Sequence, residues 1–294
     1  METKTAHIAI IGRPNAGKST LLNTLLGEKI SIVSKKPQTT RSRITGILTK
    51  DSRQYIFYDT PGIHLPRSLL GKHMAKAVRG AVSDVDAALL VVEPVPRIGS
   101  AERGMLDKLT REETPVILLI NKIDTEAKER ILEVIGVYAA QYAFAAIIPI
   151  SALNADGTDR IFTELEPFLN EGGFIFDEDE MTDQPEKVIA SEMIREKALR
   201  LLDDEIPHGI AVEIEQYKTG KNGILNIRGV IYCEREGHKQ IIIGKNGEMI
   251  KKIGSYARVD LEKFLGCGIY LELWVKVKEK WRDRADNLAE FGYK

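Results

Sequence analysis

The residues Gly12-Arg13-Pro14-Asn15-Ala16-Gly17-Lys18-Ser19 follow the spacing G-x-x-x-x-G-K-[ST], which suits a loop that cradles phosphate groups. Two glycines let a backbone wrap an anion closely, so that successive N–H groups and the positive end of a following helix face its charge. In such a loop Lys18 reaches the β- and γ-phosphates, the Ser19 hydroxyl holds Mg2+, and Thr20 continues the phosphate-facing segment. Residues 7–11 read as a buried strand and residues 19–26 as the helix that the loop must join. An accidental glycine-rich turn is the alternative, and it has to survive the motifs downstream.

Asp59-Thr60-Pro61-Gly62 follows the strand-like run 55–58. A carboxylate there can hold water of a Mg2+ shell, while the Gly62 N–H can sense a γ-phosphate. Between the two loops lies the polar stretch 34–42, which contains Gln38, Thr39 and Thr40 and suits an order–disorder transition. One threonine hydroxyl should complete the Mg2+ shell; Thr40 is the choice, leaving Thr39 as a surface hydroxyl. Asn121-Lys122-Ile123-Asp124 selects the base. The Asp124 carboxylate can accept from both N1–H and the exocyclic amine of guanine, a donor pair that adenine lacks. Asn121 is expected to brace the loop and contact the base, and the Lys122 stem to cover its face. Ser151-Ala152-Leu153 suits an Ala152 N–H directed at guanine O6, although by itself the tripeptide would be read as a helix N-cap. The group expected to carry hydrolysis is Lys18, Thr40, Gly62 and Asn15. Asn15 either ligates a monovalent cation such as K+ beside the phosphates or braces the loop. Ile63 stands where many GTPases have a water-orienting glutamine, so intrinsic hydrolysis should be slow or assisted from elsewhere.

These motifs need a scaffold. Apolar runs at 7–11, 55–58, 87–92, 116–120 and 146–150 alternate with helical patterns, which predicts an α/β P-loop GTPase domain over 1–170, a mostly parallel sheet with helices on both faces. Ligands in such sheets lie at the carboxyl ends of the strands. The acidic, glycine-containing stretch 171–185 reads as a linker. A smaller α+β domain over 186–294 follows: an amphipathic helix at 186–202 with Val188 on its apolar stripe, strands at 210–216 and 224–234, two short helices flanking Gly244–Gly247, a strand at 269–277 and a closing helix at 278–291. The corner Gly244-Lys245-Asn246-Gly247 would bring bare peptide N–H groups to a nucleic-acid backbone. Lys245 and Lys251 would add phosphate-directed charge, and Ile243 and Ile250 would pack against unstacked bases; the bland alternative is a tight turn. Lys276, Lys278, Lys280, Arg282 and Arg284 form a second basic run. Trp281, Ala285, Leu288 and Phe291 at helical spacing suggest a core face, or a membrane-associated one.

Composition narrows the class. The 294 residues are 43% hydrophobic and 29% charged with a formal net charge of −1, so any nucleic-acid site must be local. Cys233 and Cys267 have no metal-ligand spacing and read as small hydrophobes of a reducing compartment. No apolar run reaches the ~18 residues of a membrane span, and the short N-terminal run leads straight into the phosphate loop. A cytoplasmic chain is expected.

A GTPase module joined to a G-x-x-G module resembles the Era family of bacterial ribosome-assembly GTPases. The resemblance runs through Gly12–Ser19, Gln38-Thr39-Thr40-Arg41, Asp59–Gly62, Asn121–Asp124, Ser151–Leu153, the stretch 181–185, Ile194-Arg195-Glu196-Lys197, Gly244–Gly247, Trp281-Arg282-Asp283 and Phe291-Gly292-Tyr293. It implies a type II KH domain, GTP or GDP with Mg2+ in the first domain, and GTP-regulated binding to the 3′ end of small-subunit rRNA during maturation of the small ribosomal subunit. It also implies peripheral association with the cytoplasmic membrane, and Ile63 fits the branch of GTPases to which the family belongs. The competing class is a signalling GTPase whose second domain binds a protein or the membrane surface.

Overall fold

Long unbroken apolar runs bury strands on both faces, and three such runs form the middle of the first sheet: β1 (Lys4–Gly12), β4 (Ala87–Val92) and β5 (Val116–Ile120). The computed structural model describes residues 2–63, 66, 68–203, 206–221 and 223–293. With β2 (Ile44–Lys50), β3 (Arg53–Asp59) and β6 (Ala146–Pro149) the strand order is β2-β3-β1-β4-β5-β6. All neighbours are parallel except β2, which is antiparallel to β3. The helices are α1 (Lys18–Leu26), α2 (Leu69–Val82), α3 (Ser100–Arg111), α4 (Lys128–Ala139) and α5 (Asp159–Leu165). Residues of α2, α3 and α4 share one core with β1, β4 and β5. The chain forms two compact units, the first of Met1–Ser31, Thr40–Pro66 and Met74–Asp183, the second of Ile32–Thr39, Arg67–His73 and Gln184–Lys294.

Strand β2 has no counterpart among the runs read from sequence. Its turn explains it: Lys50 pairs with Arg53 across a two-residue loop in which Asp51 takes φ 55, the left-handed geometry that hairpins favour. The stretch 171–185 departs further from expectation. A two-residue strand β7 (Asn170–Glu171) pairs antiparallel with the first residues of β1, where β4 has not yet begun. Gln54, fully buried, then accepts at Oε1 from Ile175 N (2.9 Å) and Phe176 N (3.1 Å) and donates to Phe176 O (2.9 Å). Ile47 N donates to Met181 O at 2.8 Å, and Thr45 Oγ1 to Asp183 Oδ2 at 3.0 Å. This polar segment is laid along the first unit, where it pairs backbone groups of edge strand β2.

The second unit is built on α6 (Glu186–Leu201), β8 (Ala211–Thr219), β9 (Leu225–Cys233), α7 (Glu236–Ile243), α8 (Glu248–Leu265), β10 (Ile269–Val277) and α9 (Ala285–Glu290). Its sheet runs β10-β9-β8, with β9 parallel to β10 and antiparallel to β8. Helix α8 spans 18 residues and is not the short helix expected. Helix α6 is not a single apolar stripe either: Arg195, Glu196 and Lys197 are buried, whereas Val188 is exposed. The closing helix expected over 278–291 is broken. A turn of 3-10 helix (Trp281–Asp283) precedes α9 because Lys280 is left-handed (φ 50) and Arg284 is extended. Trp281 has no exposed surface, donates Nε1–H to Gly209 O at 2.8 Å and meets Phe291 edge-on at 5.2 Å between ring centres. Trp281 is a core residue, and Phe291 packs half-buried against it. Cys233 is buried and Cys267 half-buried.

Trp281→Ala should therefore lower the stability of the second unit by about 3–5 kcal/mol, the usual cost of emptying a buried aromatic site. A urea titration followed through the remaining Trp274 checks this. Unchanged unfolding with weakened binding to lipid vesicles would return Trp281 to the membrane reading.

Candidate functional site

The phosphate loop leaves β1 at Gly12 and enters α1 at Lys18. Both ends require glycine. Gly12 has φ +152 and a Cβ there would lie 2.2 Å from Val91 O; Gly17 has φ +97 and its Cβ would lie 2.2 Å from Asn121 Nδ2. Asn15 between them is left-handed (φ 65) and exposed. Ala16 is buried, and its carbonyl accepts from Asn121 Nδ2 at 2.8 Å. Lys18 is also buried, its ammonium donating to Gly12 O (3.2 Å) and Arg13 O (2.9 Å). Burial pushes the Lys18 pKa down to about 8, against the opposing pull of Asp59. Arg13 pairs with Glu102 of α3 at 2.5 Å. Pro14 lies so close to Gly62 that a Cβ at 62 would be 2.6 Å from the Pro14 nitrogen, and Ile63 N donates to Gly12 O at 3.0 Å. The Ile63 side chain packs on the core shared by β1, β4 and β5.

A candidate cation site lies beside the loop. Ser19 Oγ donates to Asp59 Oδ2 at 2.6 Å and is 2.9 Å from Thr40 Oγ1; Ser31 Oγ donates to the same carboxylate oxygen at 2.8 Å. Asp59 is fully buried, and its Oδ1 has no hydrogen-bond partner. Burial raises its carboxyl above the ordinary range, with Lys18 and the three hydroxyls pulling the other way. Two hydroxyls and a carboxylate with an unpartnered oxygen form an all-oxygen donor set, which fits Mg2+ once waters and phosphates complete its shell. Among the described residues no group of three or more His, Cys, Asp and Glu could hold a metal, so a cation here depends on this mixed set. Other members of the expected set point elsewhere. The Thr60 hydroxyl donates to Ile10 O at 2.8 Å and anchors its loop. Thr39 Oγ1 donates to Lys36 O at 2.6 Å, and Thr39 and Gln38 (φ 61) group with the second unit. Thr20 and Pro61 contribute as parts of α1 and the Asp59 loop.

At the base end, Asn121 donates to Ala16 O and accepts the Ala152 N–H at 2.9 Å. The Ala152 N–H was expected to face guanine O6. It is instead turned to Asn121, because a buried amide needs both of its ends satisfied. Ser151 Oγ donates to Asp124 Oδ1 at 2.5 Å, and Asp124 is exposed on a 3-10 turn entered through left-handed Lys122 (φ 66). Lys122 Nζ pairs with Glu93 at 2.5 Å. Ser151 and Asp156 exchange backbone hydrogen bonds (3.0 and 3.1 Å) and α5 starts only at Asp159, so Ser151 is no N-cap. Leu153 is exposed at the rim. Three residues of this site had no sequence signal: Ser31 on Asp59, Asn23 whose Oδ1 accepts from Ile30 N and Ser31 N, and Thr24 whose hydroxyl donates to Ala152 O at 2.7 Å.

In the second unit α7 ends at Ile243 and α8 starts at Glu248, with Gly244 (φ 72), Asn246 (φ 52) and Gly247 (φ 77) turning the chain between them. A Cβ on Gly244 would lie 2.9 Å from Met249 N, so the two helix ends approach at that glycine. Lys245, Asn246 and Lys251 are exposed. Ile243 and Ile250 were expected to meet bases, but both pack partly into the unit's core; the exposed aliphatic is Ile241. The second basic run is largely neutralised: Lys276 pairs with Glu215 (2.7 Å), Arg282 with Glu234 (2.5 Å) and Lys278 with Glu290.

Residues 7–122 match the family model described as a 50S ribosome-binding GTPase, and residues 205–282 match that of the KH domain. The chain is 49% identical to the GTPase Era of Ruminiclostridium cellulolyticum, over 100% of this chain and 99% of that one. It is 50% identical to the GTPase Era of Clostridium kluyveri over 99% of each. The chain belongs to the Era family. Like an Era solved with MgGDPNP and nucleotides 1506–1542 of 16S ribosomal RNA (TM-score 0.95, 39% identity, 99% of each chain), it joins a P-loop GTPase unit to a KH unit. An Aquifex aeolicus Era variant bound to GDP and aluminium fluoride is equally similar (TM-score 0.94, 39% identity, 100% of this chain and 99% of that one). As an Era-family member the chain binds GTP and GDP with Mg2+ and hydrolyses GTP.

Nucleotide binding should take up a proton at alkaline pH. The Lys18 ammonium has a pKa of about 8 in the free protein, and phosphates beside it raise that value. Affinity is therefore full below about pH 8 and falls by up to tenfold per pH unit as pH rises through that value. Calorimetry in two buffers of different ionisation heat at about pH 9 measures the uptake. A pH-independent affinity across this window would show that Lys18 stays charged without nucleotide.

Proposed function

We propose that this Era-family GTPase is a nucleotide-gated RNA switch that binds the single-stranded 3′ end of 16S rRNA and acts in small-subunit maturation. The observation that carries the reading is the presence in one chain of the Ser19–Asp59–Thr40 cluster and the glycine corner at 244–247, together with the full-length likeness to an Era solved with that RNA. The functional division follows residues 1–170 for nucleotide, 171–185 as connection and 186–294 for RNA.

In this reading the backbone of residues 12–18 binds the phosphates, Lys18 neutralises the β- and γ-groups, and Asp124 selects guanine while Asn121 and Lys122 hold its loop. Mg2+ supplies electrostatic stabilisation of the charge that develops on the phosphates. Ser19 and Thr40 would hold it, with Asp59 beside them to bind its water, and the partnerless Asp59 Oδ1 supports this assignment. Gly62 reports the γ-phosphate through its N–H, and its closeness to Pro14 ties that report to the phosphate loop. Ile63 cannot orient water, so Asn15 with K+ provides the assistance that hydrolysis needs; turnover faster in K+ than in Na+ is the expected sign. Lys245, Asn246 and Lys251 face the RNA backbone, with exposed Ile241 beside the bases. The chain works in the cytoplasm. Peripheral membrane contact would use surface other than Trp281 and Leu288, which are buried, and no described helix is long and apolar enough to cross a membrane.

Fluorescence anisotropy of a labelled oligonucleotide copying the 3′ end of 16S rRNA tests the reading at fixed salt, with GTP analogue, GDP or no nucleotide. Gly244→Asp strains a positive φ as well as adding charge, so Lys245→Glu serves as the surface variant. Each should weaken binding by about tenfold or more, since both replace a phosphate-facing group with a carboxylate. Equal affinity for a scrambled oligonucleotide, or indifference to both variants, would favour a protein- or membrane-binding second domain.

A further inference from the structure

The run Ile194-Arg195-Glu196-Lys197 on α6 has no part in either site described above, yet it puts three consecutive charged side chains into the interior of the second unit. Burying charge is costly unless each group is paired, and besides pairing with acids of α6 and α8 the charged groups here reach the backbone of one segment. Glu196 Oε1 accepts the Val33 N–H at 2.9 Å, and Arg200 donates to Val33 O at 3.1 Å from Nε and 3.0 Å from Nη2. At the other end of the same segment, Arg195 Nη2 donates to Thr39 O while its guanidinium is held by Glu192. Lys36 donates to Leu202 O just past the end of α6. Lys197 bridges Glu196, at 2.9 Å, to Asp260 of α8. Helix α6 thus grips residues 32–39 by their backbone at both ends, and the grip depends on the type of side chain at 195, 196 and 200.

The residue after this gripped segment is Thr40, whose hydroxyl is 2.9 Å from Ser19 Oγ. One peptide bond separates the carbonyl held by Arg195 from the residue assigned to the cation shell. A backbone carbonyl held by a buried guanidinium restricts the dihedral angles that aim the next side chain, and ordering a free loop residue costs about 1–2 kcal/mol of conformational entropy. We propose that Arg195 and Glu196, with Arg200, are positioning residues for the GTPase reaction. They pre-order residues 32–39 so that Thr40 is already presented when a γ-phosphate and Mg2+ arrive. The proposal rests on the assignment of Thr40 to the cation shell made under Proposed function. It gives α6 a selective role: GDP, which offers no γ-phosphate to complete that shell, gains nothing from the grip, whereas GTP does.

Full-length variants decide it, with fluorescent GDP and a non-hydrolysable GTP analogue as probes in a Mg2+ titration. Arg195→Lys keeps the charge but cannot hold Glu192 and the Thr39 carbonyl together in a fork. It should weaken the analogue by about tenfold, as expected for a lost charge-assisted hydrogen bond, raise the Mg2+ concentration at half-saturation, and leave GDP affinity within about twofold. Arg200→Ala, at a half-exposed position where folding is safe, should act in the same direction by about threefold and carries the decision if Arg195→Lys does not fold. Thr40→Val is the reference. If the grip acts through Thr40, Arg195→Lys combined with Thr40→Val costs the analogue no more than Thr40→Val alone. Losses shared equally by GDP and the analogue would mark the cluster as merely structural and overturn the proposal, as would losses that multiply in the double variant. A Thr40→Val protein that binds the analogue normally would sink the cation assignment itself, whatever the Arg195 variant does.

Discussion

The first unit is organised around a carboxylate that has been taken out of water. Asp59 is fully buried at the end of the largely buried strand β3, and only one of its oxygens is satisfied by protein hydroxyls. Burial drives such a group toward neutrality unless positive charge is supplied. Lys18 supplies part of that charge from a position that is itself unfavourable for an ammonium. Two buried, opposed charges that are each incompletely solvated make a site that is finished by a ligand: a cation for the carboxylate and phosphate oxygens for the lysine.

Close approach of backbone to backbone ties the loops of the site together. Gly12, Gly17 and Gly62 each lie where a Cβ would collide with a neighbouring loop, and the neighbours belong to β4, the Asn121 loop and Pro14. The phosphate, cation and base loops are therefore one hydrogen-bonded body and not three independent attachments. Asn121 is its hub, satisfied at one end by Ala16 and at the other by Ala152. The second unit solves the opposite problem. Its buried charges are matched by partners within the unit, and what remains open is a pair of helix ends drawn together at Gly244.

Most of the candidate nucleotide site was legible because its motifs are local. A glycine pair, a lysine and a serine at set spacing describe one turn of chain, and the strand before and helix after it follow from hydropathy. The runs at 87–92 and 116–120 became strands with the same bounds because they are buried on both faces. Reading failed where a residue's partner is distant in sequence. Nothing around Ser31 indicates that its hydroxyl meets Asp59. Nothing in the polar stretch 171–185 says that its backbone will pair with Gln54 and Ile47. The Ala152 N–H, expected at guanine O6, donates to Asn121 Oδ1, a partner 31 residues away in sequence.

The amino-acid sequence by itself determined the candidates: the phosphate loop of a P-loop GTPase, an oxygen-rich cluster suited to a cation, a carboxylate suited to guanine and a glycine corner suited to nucleic acid, since each depends on residue types within a few positions of one another. Tertiary structure alone decided which hydroxyls gather on Asp59, which of the basic residues are neutralised by acids, that Trp281 belongs to the core, and that the charged run on α6 holds residues 32–39. Spacing along a chain specifies local geometry, but burial and pairing are properties of the folded whole, and a charge or hydroxyl acquires its role only from what packs beside it.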